Sequence, residues 1–199
     1  MEQYRLMMRG INKTYGSAIA LQDVDFMVRP GEVHALIGEN GAGKSTLLNI
    51  LSGVRPADSG DIHVNGESVQ MKNPLSARHA GIAMIHQELQ HVPELSVAQN
   101  MFLGRPMTTL NGLFVDKRAQ LARATHILKQ LDPSINPAEP IKNLKVSQQQ
   151  IVEIARALLD EAKIIAMDEP TSSLTPREFE RLAELIADLK STGVSLIYV

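Results

Sequence analysis

The chain has 199 residues, 44% of them hydrophobic, and a net charge of −2 at pH 7, which suits one globular core with a small appended subdomain. It has no cysteine, which excludes disulfides and thiolate metal sites, and the charge balance gives no basic stripe for nucleic acid. No apolar stretch approaches the ~20 residues that a membrane-spanning helix needs.

The first part of the chain alternates short apolar stretches with turn residues. Strands are predicted at residues 6–8, 24–28 and 62–64. Asn65-Gly66 is a hairpin signal, so residues 68–71 are predicted to return antiparallel to the preceding strand. We therefore expect an N-terminal antiparallel β subdomain.

A glycine-rich segment interrupts this pattern and matches the phosphate-binding sequence G-x-x-x-x-G-K-[ST]. Its residues are Gly38, Glu39, Asn40, Gly41, Ala42, Gly43, Lys44, Ser45 and Thr46. The glycines let successive backbone N–H groups turn towards a polyphosphate. Lys44 can reach the β- and γ-phosphates, and the Ser45 hydroxyl can bind Mg²⁺.

The context of this phosphate loop is that of a strand–loop–helix unit. Residues 33–37 are predicted to form a buried strand before it, and residues 46–51 a helix after it that ends at Gly53. The helix N-terminus would direct its partial positive charge at the phosphates.

The middle of the chain is predicted to be helical. Helices are expected over residues 96–103 and 116–131, with Ser96 and Asp116 as their N-caps. The second helix is predicted to bury one apolar face, made of Leu121, Ala124, Leu128 and Leu131.

The last part returns to alternating helix and strand. A helix is predicted at residues 148–159, a buried strand at 163–168, a helix at 176–190 and a strand at 194–199. The layout is therefore an α/β nucleotide-binding core. We assign residues 1–88 and 160–199 to this core and residues 89–159 to a helical subdomain.

The predicted strand at 163–168 ends in an acid, Asp168, and a second acid, Glu169, follows it. Carboxylates at the carboxyl edge of a parallel sheet lie beside the nucleotide in such folds. Asp168 would hold Mg²⁺, directly or through water, and Glu169 would be the general base for the attacking water. Gln87, after the predicted strand 81–85, could reach Mg²⁺ or that water through its amide oxygen, although alone this signal is weak.

The segment Leu144-Lys145-Val146-Ser147-Gln148 precedes a helix and lies about 20 residues before Asp168. Here the chain resembles the ATP-binding cassette (ABC) ATPases, whose signature loop L-S-G-G-Q has this spacing. The resemblance extends over the whole chain and implies a P-loop NTPase core of ABC type, with ATP and Mg²⁺ as cofactors. It also implies that Tyr15 stacks on adenine and that Gln87 belongs to the Q-loop.

Within that family the chain is most similar to the N-terminal cassette of two-cassette monosaccharide importers. The cues are the phosphate loop, the triple glutamine at 148–150 and Thr175, where most cassettes have aspartate. The resemblance implies an ATPase that powers import of a monosaccharide or related polyol from the cytoplasmic face of the cell membrane. Its implied partners are multispanning permease subunits, a second cassette and, indirectly, an external sugar-binding protein, with no nucleic acid.

Two other functions remain open. One is a soluble ABC ATPase that acts on ribosomes or DNA, which the missing basic face disfavours. The other is a regulatory module that senses ATP without hydrolysis, which Glu169 disfavours because a retained base implies activated water.

The signature segment departs from the family pattern. Lys145 stands in place of the serine, and Val146 and Ser147 in place of the two glycines. A lysine is a flexible point charge, and a non-glycine residue costs energy wherever the backbone needs a positive φ. We therefore expect this loop to serve the ATP of the partner cassette poorly, which would make the two composite sites unequal.

Two further expectations follow from the resemblance. The family has Ser-His after a strand like 194–199, whereas this sequence stops at Val199, so we expect a fragment that alone binds ATP weakly and hydrolyses it at background rate; a naturally short chain is the alternative. The helical subdomain, with the region from Gln87 to Leu95, resembles the permease docking site. Phe102 and Leu103 are possible docking residues there, although packing within the subdomain is the favoured interpretation for either one.

Overall fold

The computed structural model describes residues 4–86, 90–109, 113–168 and 175–199. The chain folds as two compact units. The first comprises the described residues of Met1–Ile85, Glu161–Glu169 and Leu182–Val199, and the second those of His86–Asp160 and Pro170–Arg181. Among the described residues, no helix combines the length and apolar character needed to cross a membrane.

The predicted strands and helices are present among the described residues, several with shifted bounds, whereas the short helix at 74–79 and the short strands at 108–109 and 114–115 were not predicted. The strands are β1 (Leu6–Tyr15), β2 (Ala18–Val28), β3 (Val33–Ala35), β4 (Ser59–Val64), β5 (Glu67–Ser68), β6 (Ile82–Ile85), β7 (Thr108–Thr109), β8 (Phe114–Val115), β9 (Ile164–Met167) and β10 (Ser195–Tyr198). The helices are α1 (Lys44–Leu51), α2 (Pro74–His79), α3 (Val97–Met101), α4 (Lys117–Leu131), α5 (Val146–Leu159) and α6 (Pro176–Ser191).

The first unit contains the expected antiparallel sheet, with strand order β2-β1-β4-β5. Along β1, Leu6 and Met8 lie on the buried face, as the two-residue period of a strand requires. The Asn65-Gly66 turn is confirmed: both residues have positive φ, 54° and 85°, as a two-residue hairpin turn needs. The returning strand is shorter than predicted and ends at Ser68.

A parallel sheet with strand order β3-β10-β9-β6 forms the other half of the first unit. All four residues of β9 are buried, as expected for a central parallel strand. The prediction of a buried strand at 33–37 is partly wrong: a strand is present at Val33–Ala35, but it is shorter than predicted and is not buried. In the described residues, β3 lies at the edge of this sheet with β10 as its partner, and Ile37, beyond the end of the strand, is 90% exposed.

Helix α1 packs between these sheets in one hydrophobic core. Leu48 and Ile50 are almost fully buried in a cluster that includes Leu6 of β1 and Ile164 of β9. Gly53 follows the helix with φ +72°, and a Cβ there would lie 2.3 Å from the carbonyl oxygen of Asn73. The predicted helix end at Gly53 is therefore confirmed, with a steric reason as well as a conformational one.

The second unit is built around α3, α4 and α5, which pack against one another. The caps are confirmed: the Ser96 hydroxyl accepts the N–H of Gln99, and the Asp116 carboxylate accepts the N–H of Ala119. The predicted apolar face of α4 is partly wrong, because Leu121 is 40% exposed. The helix buries Ala124, Leu128, Ile127 and Gln120.

Candidate functional site

The phosphate loop connects β3 to α1, and its close packing depends on Gly43. This residue has φ +89°, and a Cβ there would lie 2.6 Å from the Ala20 carbonyl oxygen and 2.7 Å from Leu21 Cδ2. Only glycine combines the left-handed backbone with the missing Cβ that this approach requires. The loop is thereby held against the start of β2 in the conformation that leads into α1.

Lys44 lies within its own loop. Its Nζ donates hydrogen bonds to the carbonyl oxygens of Gly38, at 2.6 Å, and Glu39, at 2.9 Å. An ammonium group has three donors, so one donor remains for an external acceptor such as a phosphate oxygen. The two carbonyl contacts orient that positive charge.

The loop and the end of β9 share one cavity of about 210 Å³ in the first unit. Its lining residues are Ala20, Asn40, Gly41, Gly43, Lys44, Ser45, Thr46, Asp168 and Val199. The predicted site residues Lys44, Ser45 and Asp168 thus line the same cavity, although Lys44 and Asp168 are 124 positions apart in the sequence. Gly38, Glu39 and Ala42 of the same loop do not line the cavity.

Asp168 is held at the carboxyl edge of the parallel sheet. Its backbone N–H donates to the Ile85 carbonyl oxygen at 3.0 Å, and the preceding Met167 pairs with Ile85 in register. The carboxyl ends of β6 and β9 therefore lie side by side. The other two residues predicted near this edge, Gln87 and Glu169, lie outside the described residues.

The donor set of the cavity fits Mg²⁺. Ser45 offers a hydroxyl oxygen and Asp168 a carboxylate oxygen, the hard ligands that this cation prefers. No group of three or more His, Cys, Asp and Glu side chains in the described residues could hold a metal by itself. A magnesium ion here would therefore take further ligands from water and substrate phosphates, as is usual for this cation.

Tyr15 stands at the end of β1, beside the phosphate cavity. It pairs with Ala18 across the β1–β2 hairpin, and Ala20, two residues further along β2, lines the cavity. Its side chain is exposed enough to meet a ligand, at 45%. The Nζ of Lys13 lies 5.7 Å from the centre of its ring, within the range of a cation–π contact.

The signature segment is not a loop over its whole length. Leu144 is buried and Lys145 precedes α5, whereas Val146, Ser147 and Gln148 form the first turn of that helix. The expected cost of positive φ does not arise, because Val146 and Ser147 are helical and neither is among the positive-φ residues described.

The hydroxyl of Ser147 is engaged within the chain. It donates a hydrogen bond of 2.6 Å to Oε1 of Glu178, in the first turn of α6. The other carboxylate oxygen of Glu178 accepts from the N–H of Thr175, at 3.0 Å, and from its hydroxyl, at 2.7 Å. The Ser147 hydrogen bond, followed by those from Thr175, lowers the pKa of Glu178 to about 2.

Glu178 was not foreseen as part of the signature region. Thr175 and Glu178 have the spacing of a capping box at a helix start, which a sequence can show. Its bond to Ser147 joins residues 31 positions apart, however, and no local pattern signals such a contact.

A second network that the sequence did not reveal supports residues 92–96. Asn100 is 2% exposed; its Oδ1 accepts the N–H of Val92 at 2.8 Å, and its Nδ2 donates to the carbonyl oxygens of Val92, Leu95 and Ser96, each at 3.1 Å. Nearby, Phe102 is buried, in agreement with packing within the helical subdomain, whereas Leu103 is 40% exposed.

His91 and Glu153 join this region to α5. The His91 Nε2 lies 2.7 Å from Glu153 Oε1, and both side chains are nearly buried. Burial raises the pKa of Glu153, but the hydrogen bond with His91 and the charge of Arg156 outweigh it and leave that pKa below its usual value. The segment after β6 is thereby tied to the helix that begins with the signature residues.

Comparison with known proteins gives a consistent picture. The family model described as ABC transporter matches residues 21–172. The chain is 47% identical over 195 residues to the ribose import ATP-binding protein RbsA of Lactococcus lactis subsp. cremoris, which covers 98% of this chain and 39% of that protein. It is 48% identical over 189 residues to RbsA of Rhodopirellula baltica, covering 95% of this chain and 37% of that protein.

Solved structures agree. The ADP conformation of an ATP-binding cassette of an ABC transporter superposes with a TM-score of 0.86 at 30% identity, covering 98% of this chain and 80% of that one. A nucleotide-free ATP-binding cassette from an ABC transporter gives the same TM-score, identity and coverage. The chain therefore spans most of a single solved cassette but only about two fifths of the curated relatives that it matches.

Proposed function

This chain belongs to the ABC transporter family, and on that premise we propose that it binds and hydrolyses ATP to power import of a sugar across the cytoplasmic membrane. The observation that carries the proposal is the convergence of Lys44, Ser45 and Asp168 on one cavity. The names of its relatives, ribose import ATP-binding proteins, support the sugar as the transported solute.

The chain's own groups supply most of the electrostatic chemistry. The free donor of Lys44 would bind a β- or γ-phosphate oxygen, while the N-terminus of α1 directs backbone N–H groups at the same phosphates. Phosphoryl transfer depends mainly on positioning and on stabilising charge spread over the transferred group. The phosphate loop and the start of α1 would supply both features.

Mg²⁺ would be held by Ser45 and Asp168, with Gln87 as a further oxygen ligand, and would neutralise charge on the phosphates. Glu169 would accept the proton of the attacking water as general base, and Gln87 would orient that water. Tyr15 would stack on adenine. These roles follow the family pattern. The roles of Gln87 and Glu169 rest on that pattern alone, because both residues lie outside the described residues.

We further propose that the chain is one cassette of a larger assembly. A second cassette, multispanning permease subunits and an external sugar-binding protein would be its partners, at the cytoplasmic face of the membrane. The relatives support this arrangement, because the chain matches only 39% of their length. In such an assembly, the first turn of α5 would face ATP bound by the second cassette.

The test is transport by the full-length protein reconstituted with its permease subunits in vesicles. We expect ATP-dependent ribose uptake and ATPase activity stimulated by the permease, both abolished by Lys44→Ala and retained by Lys72→Ala, which removes an exposed lysine elsewhere. ATPase activity that the permease does not affect would instead support a soluble ATPase. Nucleotide binding without any hydrolysis would support a sensor.

A further inference from the structure

An ion pair at the end of β1 has no role in the function proposed so far. The Lys13 Nζ lies 2.6 Å from Asp58 Oδ1, and the lysine is 8% exposed. The other carboxylate oxygen of Asp58 accepts from the N–H of Thr14, at 2.7 Å, and from its hydroxyl, at 2.9 Å. One carboxylate therefore binds the two residues that immediately precede Tyr15.

These bonds lie where the pairing between β1 and β4 ends. Strand β4 begins at Ser59, which pairs with Asn12, so residues 13–15 have no β4 partner beyond that point. Pairing with β2 is irregular in the same stretch, with register shifts on both sides of Lys13. The hydrogen bonds of the Asp58 side chain replace the backbone hydrogen bonds that a longer β4 would make with residues 13–15, and they fix the end of β1.

Lys13 also contacts the ring of Tyr15 itself. Its Nζ lies 5.7 Å from the ring centre while paired with Asp58, so the cation is fixed with respect to the ring. A fixed cation favours one orientation of an aromatic ring because the ring quadrupole attracts it. Tyr15 remains 45% exposed. It lies beside β2, and Ala20 of that strand lines the phosphate cavity.

We propose that Lys13 and Asp58 are positioning residues that orient Tyr15 as a platform for the nucleotide base, and so set the preference for ATP over a ligand that lacks a base. The inference rests on the proposed ATP function. It separates two tasks in one site: Lys44 and its loop recognise phosphate, while the Lys13–Asp58–Tyr15 unit recognises the base.

Direct phosphate binding by Lys13 does not fit its surroundings. The ammonium is nearly buried and engaged by Asp58, whose pKa the Lys13 hydrogen bond, followed by those from Thr14, lowers to about 2, so the carboxylate stays ionised at working pH. An approaching phosphate would have to displace that carboxylate. Lys44, by contrast, retains a free donor.

The test compares two ligands of the full-length protein, with any second phosphate loop disabled at its lysine. Titration calorimetry measures the affinity for Mg-ATP and for Mg-tripolyphosphate, which has the phosphates without the base. Base stacking on an aromatic ring is worth ~1–3 kcal/mol, so Tyr15→Ala should weaken ATP about 5- to 150-fold. We expect Lys13→Met and Asp58→Asn to weaken ATP about 3- to 10-fold, with tripolyphosphate affinity unchanged within about 2-fold.

A double-mutant cycle adds a readout that general damage would not give. In the Tyr15→Ala background, Asp58→Asn should cost no further ATP affinity, because the platform is already gone. Asp61→Asn, which removes an exposed carboxylate from the same strand region, is the matched control. Thr14→Val, which deletes one donor to Asp58, provides a milder variant should Asp58→Asn unfold.

The outcomes separate the two proposals. Equal losses for ATP and tripolyphosphate would show that the ion pair merely supports the fold, and retained ATP preference in both variants would exclude positioning. A wild-type protein that binds both ligands equally would also overturn the inference. If the wild type binds neither ligand in the presence of Mg²⁺, the proposed function itself fails.

Discussion

Replacing Gly43 by alanine tests whether the phosphate loop depends on the close approach to β2. A non-glycine residue with φ near +89° costs ~1–2 kcal/mol. The new Cβ would also lie 2.6 Å from the carbonyl oxygen of Ala20, a backbone atom that no rotamer change can move. Such overpacking adds about 1–3 kcal/mol, so we expect a total loss of ~2–5 kcal/mol in the free energy of unfolding.

Gly41 provides the matched control. It has a similar φ of +86°, but a Cβ there meets no atom within 4 Å. Gly41→Ala should therefore cost only the conformational term, ~1–2 kcal/mol. Urea unfolding of both variants, together with calorimetric titration of Mg-ATP, measures the difference. Equal losses of stability and equal losses of ATP affinity in the two variants would refute the steric reasoning.

Three further predictions concern other parts of the chain. The double substitution Lys145→Ser and Ser147→Gly should raise turnover at the partner site, because it restores the family's serine and glycine in place of a flexible lysine and of a hydroxyl that Glu178 already engages. Turnover is measured with Glu169→Gln disabling the site at Lys44. Unchanged or lower turnover would contradict this prediction. Asn100→Ala should lower the free energy of unfolding by about 1–3 kcal/mol, because it leaves buried backbone groups of residues 92–96 without their partner. Asn143→Ala, which removes an exposed side-chain hydrogen bond to Glu139, is the control and should cost less by the same urea assay. Asp58 has a pKa of about 2 in the folded chain against 3.8 for a free carboxyl, so its stabilising contribution is complete above pH 3.8 and is lost as the pH falls towards 2. In urea unfolding, Asp58→Asn should flatten the pH dependence of stability between pH 3.8 and about 2 and leave it unchanged at higher pH.

Features with local signals were predictable from the sequence. The helix after the phosphate loop, the Asn65-Gly66 turn and the caps Ser96 and Asp116 all depend on residues within four positions of one another. The phosphate-loop motif likewise indicated Lys44 and Ser45, and the acid at the end of a buried strand indicated Asp168; the three residues line one cavity.

Features that depend on distant neighbours were missed. Ile37 is apolar yet 90% exposed. It follows β3, which lies at one edge of the described parallel sheet, and no local pattern shows which strand of a sheet lies at its edge. The pairs Lys13–Asp58 and Ser147–Glu178 join residues 45 and 31 positions apart, so no periodicity or motif connects them. Leu121 shows the same limit, since four apolar residues at helical spacing do not specify where the neighbouring helices lie.

The most direct test of the account is calorimetric titration of the full-length protein with ATP, with and without Mg²⁺ and with any second phosphate loop disabled at its lysine. We expect Mg²⁺-dependent binding that Lys44→Ala abolishes and Asp168→Asn weakens, while Lys72→Ala binds like the wild type. Binding that survives Lys44→Ala unchanged, or no Mg²⁺-dependent binding by the wild type, would contradict the claim that the cavity of Lys44, Ser45 and Asp168 is a nucleoside triphosphate site.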